Sequence, residues 1–218
     1  MDNIYIWNDH EVFKVSLRGS AIPIKYRGHY FYVCSQHQLS GCEHERISIM
    51  VHGGQHAISC AGVRFFDQRQ DSDVNDIVAF DFTEPCNNIP DLKSRFFDFR
   101  GPPQGVYVDK IVFLLASGFP FEQQEYDLED RNHIGTLKQK VICFPDHQPA
   151  DPALLCIRPD PPLDFNPDGM SGGSVFVVQQ IGTDFHANLA GMIVRGGSSR
   201  IHILHAGVIE GFLRACVS

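Results

Sequence analysis

The sequence predicts an all-β chain, built as two halves and closed by one helix, and three observations carry this. Short apolar or alternating runs bounded by turn residues dominate the chain, which is the period of strands. A break rich in glycine and proline, from Phe97 through Gly101, Pro102, Pro103 and Gln104 to Gly105, divides the 218 residues nearly in half. Helical periodicity is confined to the C-terminus. Many short strands in two halves of this size predict two small antiparallel β-barrels or a sandwich.

The first half, residues 1–102, carries strand-like runs at Glu11 to Leu17, His29 to Cys34, Ile47 to Val51 and Ile77 to Phe82. The second, residues 103–218, carries them at Tyr107 to Leu115, Thr136 to Phe144, Ser174 to Val178, Leu189 to Val194 and Arg200 to His205. Between them, Pro145 to Pro167 contains several prolines, which remove backbone donors and predict a loop rather than a central strand. The final segment, Ala206 to Cys216, places Val208, Ile209, Phe212, Leu213 and Cys216 at spacings of three and four. One face of that helix is expected to pack on the body.

Composition bounds the function. With 43% hydrophobic and 20% charged residues the chain can bury a real core, and its length excludes a many-domain protein. Eighteen basic against twenty-six acidic residues give a formal charge of −8, with no basic stripe to follow a phosphate backbone, so nucleic acid is excluded as a partner. No run of about 18 apolar residues exists to span a membrane. The opening Met1-Asp2-Asn3-Ile4-Tyr5 has none of the features of a secretory leader, so a cytoplasmic location is expected. Seven cysteines, an odd number at irregular spacing, fit reduced thiols, most of them small buried hydrophobes.

The strongest chemical signal is Asp168-Gly169-Met170-Ser171-Gly172-Gly173-Ser174, a serine among glycines just before an apolar strand. A serine hydroxyl attacks a carbonyl at neutral pH only when a tight turn presents it beside a base, with backbone N–H groups aimed at the developing oxyanion. A plain glycine-rich hairpin turn would show the same glycines. Two further positions add weight: the strand Phe31 to Cys34 runs into His37, and Asp76 opens the apolar run Ile77 to Phe82. A histidine can take the serine proton, and a buried carboxylate can fix its tautomer.

In the order His37, Asp76, Ser171, with the serine in Gly-x-Ser-Gly-Gly, the sequence resembles the trypsin-like (chymotrypsin-fold) serine peptidases over nearly the whole chain. The resemblance implies two six-stranded antiparallel β-barrels with the site between them and a closing C-terminal helix. It implies that Ser171 attacks the scissile carbonyl of a polypeptide substrate, that His37 acts as base and then acid, and that Asp76 orients His37. The N–H groups of Gly169 and Ser171 would form the oxyanion hole. Val194, Arg195 and Gly196 would pair with substrate backbone and edge the specificity pocket, with Phe165 at its base. Met170 stands where digestive members place the aspartate that pairs with a freed N-terminus, so activation by that route is not expected. The chain is in this respect similar to the bacterial and intracellular members, and a paired set of disulfides is also missing from it, which fits the expected cytoplasmic location. Phe165 in place of an acidic pocket base gives cleavage after Lys or Arg no support. His202 and His205, on the returning strand, are expected to face outward, or else to favour an acidic or amide side chain. No cofactor or metal is implied, and a regulatory protein partner is compatible with the family.

Three rival readings exist. Gly169 to Gly173 also fits the nucleophile elbow of α/β-hydrolases, but that fold needs alternating helices upstream and an Asp and a His after the serine, where only 47 residues remain. Cys34, His37, Cys42 and His44 have the ligand types of a structural zinc site, which would remove His37 from catalysis. A catalytically inactive relative that binds peptide by strand addition would show a lost triad member, and all three members are present.

Overall fold

A computed structural model describes residues 1–7, 14–51, 56–66, 73–102, 108–126 and 134–218. The first sheet contains β1 (Asp2–Trp7), β2 (Val15–Tyr26), β3 (His29–Cys34), β4 (Ile47–Val51), β5 (His56–Ser59), β6 (Gly62–Phe65), β7 (Val78–Asp81) and β8 (Phe97–Asp98). Its order is β5-β4-β1-β2-β3-β7-β6, with β8 alongside β2. Only Cys60 and Ala61 separate β5 from β6, yet these strands stand at opposite ends of the sheet. The sheet therefore curls into a half-barrel until its ends approach without pairing. Ile4, Tyr32, Ile47, Ile49 and Phe80 fill its interior. A short helix, α1 (Thr83–Asn88), follows β7.

The second half contains β9 (Ile111–Gly118), a small hairpin of β10 (Gln124–Tyr126) with β11 (Ile134–Thr136), and then β12 (Gln139–Pro145), β13 (Leu154–Pro159), β14 (Ser174–Ile181), β15 (Asp184–Gly196) and β16 (Ile201–His205). Six of these strands close a barrel in the order β12-β13-β16-β15-β14-β9. Leu114, Val175, Ile193 and Ile203 lie inside it. The helix α2 (Ala206–Cys216) starts where β16 ends, its first turn capped by the His205 side chain, which accepts from the Gly207 N–H. Ile209, Phe212 and Leu213 turn inward from it.

A third apolar cluster crosses between the halves: Ile24, Phe31, Val33 and Ile77 of the first meet Leu154, Met192, Val194 and the buried face of α2 from the second. The seam is therefore core rather than surface, and it gives side chains from both halves fixed relative positions.

The structure departs from the sequence reading in two places, β2 and β13. Residues 11–13 of the expected Glu11 to Leu17 strand, Pro103 to Gly105 of the central break, and Tyr107 lie outside the described residues. Beyond them, β2 continues for twelve residues, carrying Pro23 within a strand. The Pro145 to Pro167 segment, expected as loop, contains β13, a barrel strand paired on both sides. Its prolines fall before the strand, at its last residue or beyond it, while Leu154, Cys156 and Ile157 are buried, so burial of an apolar strand outweighs the local proline signal. All seven cysteines are free; Cys34, Cys86, Cys143 and Cys156 are buried, and Cys42, Cys60 and Cys216 are half-buried. Among the described residues no helix is long and apolar enough to cross a membrane.

Candidate active site

His37 and Asp76 are brought together by strand pairing. Because β3 and β7 are antiparallel, with Cys34 opposite Val78, the residues just past Cys34 and just before Val78 emerge at the same end of the sheet. His37 lies on a 3₁₀ turn, Gln36–Leu39, and Asp76 follows another, Asp73–Asn75. The His37 Nδ1 is 2.7 Å from Asp76 Oδ2, and the His37 backbone N–H donates to Asp76 Oδ1 at 2.8 Å. An ionised carboxylate only accepts, so Nδ1 carries the proton and Nε2 keeps its lone pair. The hydrogen bond that His37 donates to Asp76 raises the His37 pKa above the ordinary histidine value; partial burial opposes this, while the Asp76 and Asp73 charges add to it.

Ser171 arrives from the second barrel, three residues before β14, in a turn that only glycine allows. Gly172 has φ +79°, and a Cβ there would sit 2.0 Å from the Ser20 carbonyl and 2.5 Å from Gln38 Nε2. The turn thus presses directly against β2 and against the 3₁₀ turn that carries His37. Ser20 itself grips the neighbouring peptide: its hydroxyl donates to the Gly169 carbonyl at 2.8 Å and accepts from the Phe119 N–H at 2.9 Å.

Carbonyl anchoring decides where the N–H groups of this turn point, because the two ends of a trans peptide are opposed. The Asp168 carbonyl accepts from the Phe121 N–H at 2.8 Å and the Met170 carbonyl from the Gly173 N–H at 2.8 Å. The Gly169 and Ser171 N–H groups are aimed away from those partners, and among the described residues neither donates a hydrogen bond. Met170 is buried in the barrel core, packed so closely on Gly118 that a Cβ there would lie 2.7 Å from its side chain.

His37, Asp76 and Ser171 line one cleft of about 350 Å³. The Ser171 hydroxyl reaches the Val194 carbonyl at 3.4 Å, a long contact that leaves it free to turn. Val194, Arg195 and Gly196 form the β15 side of the cleft, and Ile193, Ile201, Met170 and Pro167 give it an apolar lining. Phe165 does not line it; this side chain is half-buried against the barrel core. Sequence reasoning missed Ile193, Ile201 and Pro167, and it missed Asp73, whose Oδ2 lies 3.0 Å from Arg195 Nη2 across the cleft. His202 and His205 are not among the lining residues; His205 caps α2 instead.

The zinc reading fails on placement. Cys34 is fully buried in the half-barrel core, where burial raises its thiol pKa, and His44 packs edge-on against Phe65 and Phe80. Among the described residues the one group of three potential metal ligands is Asp146, His147 and Cys156, which excludes His37. There Arg200 Nε already lies 2.9 Å from Asp146 Oδ2.

No family model matches the chain, and no curated protein is significantly similar to it. Solved structures are similar in fold. A human heparin binding protein superposes with a TM-score of 0.54 at 10% identity, over 98% of this chain and 89% of that one. The VesB protease of Vibrio cholerae superposes with a TM-score of 0.55 at 8% identity, over all of this chain and 64% of that one. The fold is that of the chymotrypsin-like serine proteases. This chain thus spans under two thirds of the VesB chain, and the likeness concerns fold alone. One neighbour is named for proteolysis and the other for binding, so the chemistry must be argued from the cleft.

Proposed function

We propose that the chain is a serine endopeptidase that hydrolyses polypeptides through His37, Asp76 and Ser171. The observation that carries this reading is the shared cleft, where a His–Asp pair from one half faces a glycine-framed serine from the other. Ser171 Oγ attacks the scissile carbonyl while His37 Nε2 takes its proton, forming a tetrahedral oxyanion and an imidazolium. Asp76 holds Nδ1–H throughout and stabilises that imidazolium. The N–H groups of Gly169 and Ser171 receive the oxyanion. Collapse expels the amine, which takes the proton from His37, and leaves an acyl-serine; water, deprotonated by His37, then releases the acid.

Val194 to Gly196 at the cleft edge pair with the substrate backbone, and the lining of Ile193, Ile201 and Met170 takes a small or medium apolar side chain before the cleaved bond. Asp168 also lines the cleft, but it is exposed and already accepts from Asn166 Nδ2 at 3.1 Å. The seven free thiols support a reducing compartment. The test is hydrolysis of quenched fluorogenic peptides by the wild type, Ser171→Ala and His37→Ala. Turnover confined to the wild type is expected, and equal turnover in all three would overturn the assignment.

A further inference from the structure

Ser35 is fully buried, two residues before His37, and its hydroxyl contacts both members of the His–Asp pair. Its Oγ donates to Asp76 Oδ2 and lies 2.9 Å from His37 Nδ1. The ordinary structural use of a serine at this place is absent: Ser35 occupies the N-cap position of the Gln36–Leu39 turn, yet its side chain makes no capping hydrogen bond.

We infer that Ser35 is a positioning residue that holds the His37 imidazole in its reactive tautomer. The inference rests on the proposed roles of His37, Asp76 and Ser171. A hydroxyl has one proton. Because that proton goes to Asp76 Oδ2, the oxygen turns a lone pair toward Nδ1. Nδ1 then faces two acceptors, Asp76 Oδ2 and Ser35 Oγ, and is satisfied only as N–H. The tautomer with the proton on Nε2, which could not accept from Ser171, would set the Nδ1 lone pair against both oxygens. Ser35 also braces Asp76 by donating a second hydrogen bond to Oδ2. The carboxylate accepts the His37 N–H at Oδ1, and Nδ1–H together with the Ser35 hydroxyl at Oδ2. No proton passes through Ser35 in this scheme; it biases the state from which His37 acts.

The strand geometry explains why the hydroxyl can do this. Ser35 directly follows β3, and Asp76 lies two residues before β7, 41 positions away in sequence. Their contact is a product of β3–β7 pairing, so the serine reaches the carboxylate from within the sheet end while His37 reaches it from the turn.

The experiment compares wild type, Ser35→Ala and Ser35→Thr by peptide kinetics and by the nitrogen-15 shifts of the His37 ring. Ser35→Ala should lower kcat about 10- to 100-fold, the effect of losing a hydrogen bond to a charged group, with KM changed less than about twofold. Its ring shifts should move toward the Nε2–H tautomer, and Ser35→Thr should restore both. A kcat within about twofold of wild type, or unchanged ring shifts in a folded Ser35→Ala protein, would overturn the inference. The ring measurement needs no turnover: a wild type that cleaves no peptide refutes the peptidase reading, while the tautomer shift in Ser35→Ala still decides the role of Ser35. Loss of kcat with unmoved ring shifts assigns Ser35 a merely structural role and counts against the inference.

Discussion

Gly172→Ala tests whether the serine turn is built as described. A Cβ at this position meets the Ser20 carbonyl at 2.0 Å, Gln38 Nε2 at 2.5 Å and Cys34 Cβ at 3.0 Å. Gln38 could swing aside, but the Ser20 carbonyl belongs to the interior of β2, so the turn itself must retreat by about an ångström. Two costs add: about 1–2 kcal/mol for a side chain in the left-handed region at φ +79°, and about 1–3 kcal/mol for overpacking. Gly182→Ala separates the two, because Gly182 has φ +64° with nothing within 4 Å of its Cβ. The control carries only the backbone cost. For a chain of this size each kcal/mol lowers the melting temperature by about 2–4 °C, so Gly172→Ala should melt about 2–12 °C below Gly182→Ala. Calorimetry reads the difference, and peptide turnover should fall in Gly172→Ala but not in Gly182→Ala. Equal melting temperatures would refute the close packing of the serine turn on β2.

Asp76→Asn should lower kcat by about 10⁴ through loss of the correct histidine tautomer, while Asp73→Asn and Asp81→Asn should not; the opposite pattern would show the wrong carboxylate chosen. The raised His37 pKa sets the acid limb of kcat/KM above about pH 6.5, since the protonated, inactive ring persists to higher pH. Asp73→Asn removes a neighbouring negative charge and frees the Arg195 guanidinium, so the limb should move to lower pH; a shift upward, or none, would contradict the electrostatics. The charged His37–Asp76 pair favours the folded state most below about pH 6.5 and loses that contribution as pH rises through the raised value, so stability and activity run in opposite directions there. In peptides differing only before the cleaved bond, small or medium apolar residues should be preferred by about 1–3 kcal/mol per methylene, and a preference for Lys or Arg would refute the apolar lining.

What could be read in the sequence was what local pattern controls. The runs His29 to Cys34, Ile47 to Val51 and Ala206 to Cys216 coincide with β3, β4 and α2, because apolar period and burial agree there. β13 was hidden because its flanking prolines signal loop more strongly than a six-residue strand signals itself. In the cleft, Ser171 announces itself through its glycines, whereas Asp73, Ile193 and Ile201 have no local mark and reach the site only through sheet pairing and barrel closure. Ser35 lies two residues from His37 and still gives no sign, since its partner Asp76 is 41 residues away. The resemblance puts Phe165 at the pocket base, but the side chain packs on the barrel core and leaves the lining to Ile193 and Ile201.

In the proposed mechanism His37 activates Ser171 beside a preformed oxyanion site. A fluorophosphonate probe followed by mass spectrometry tests it most directly, because such electrophiles react rapidly only with an activated hydroxyl. One adduct is expected, on Ser171, lost in Ser171→Ala and nearly lost in His37→Ala. An adduct on Ser174 or Ser35, or a folded wild type that takes up no probe, would contradict it.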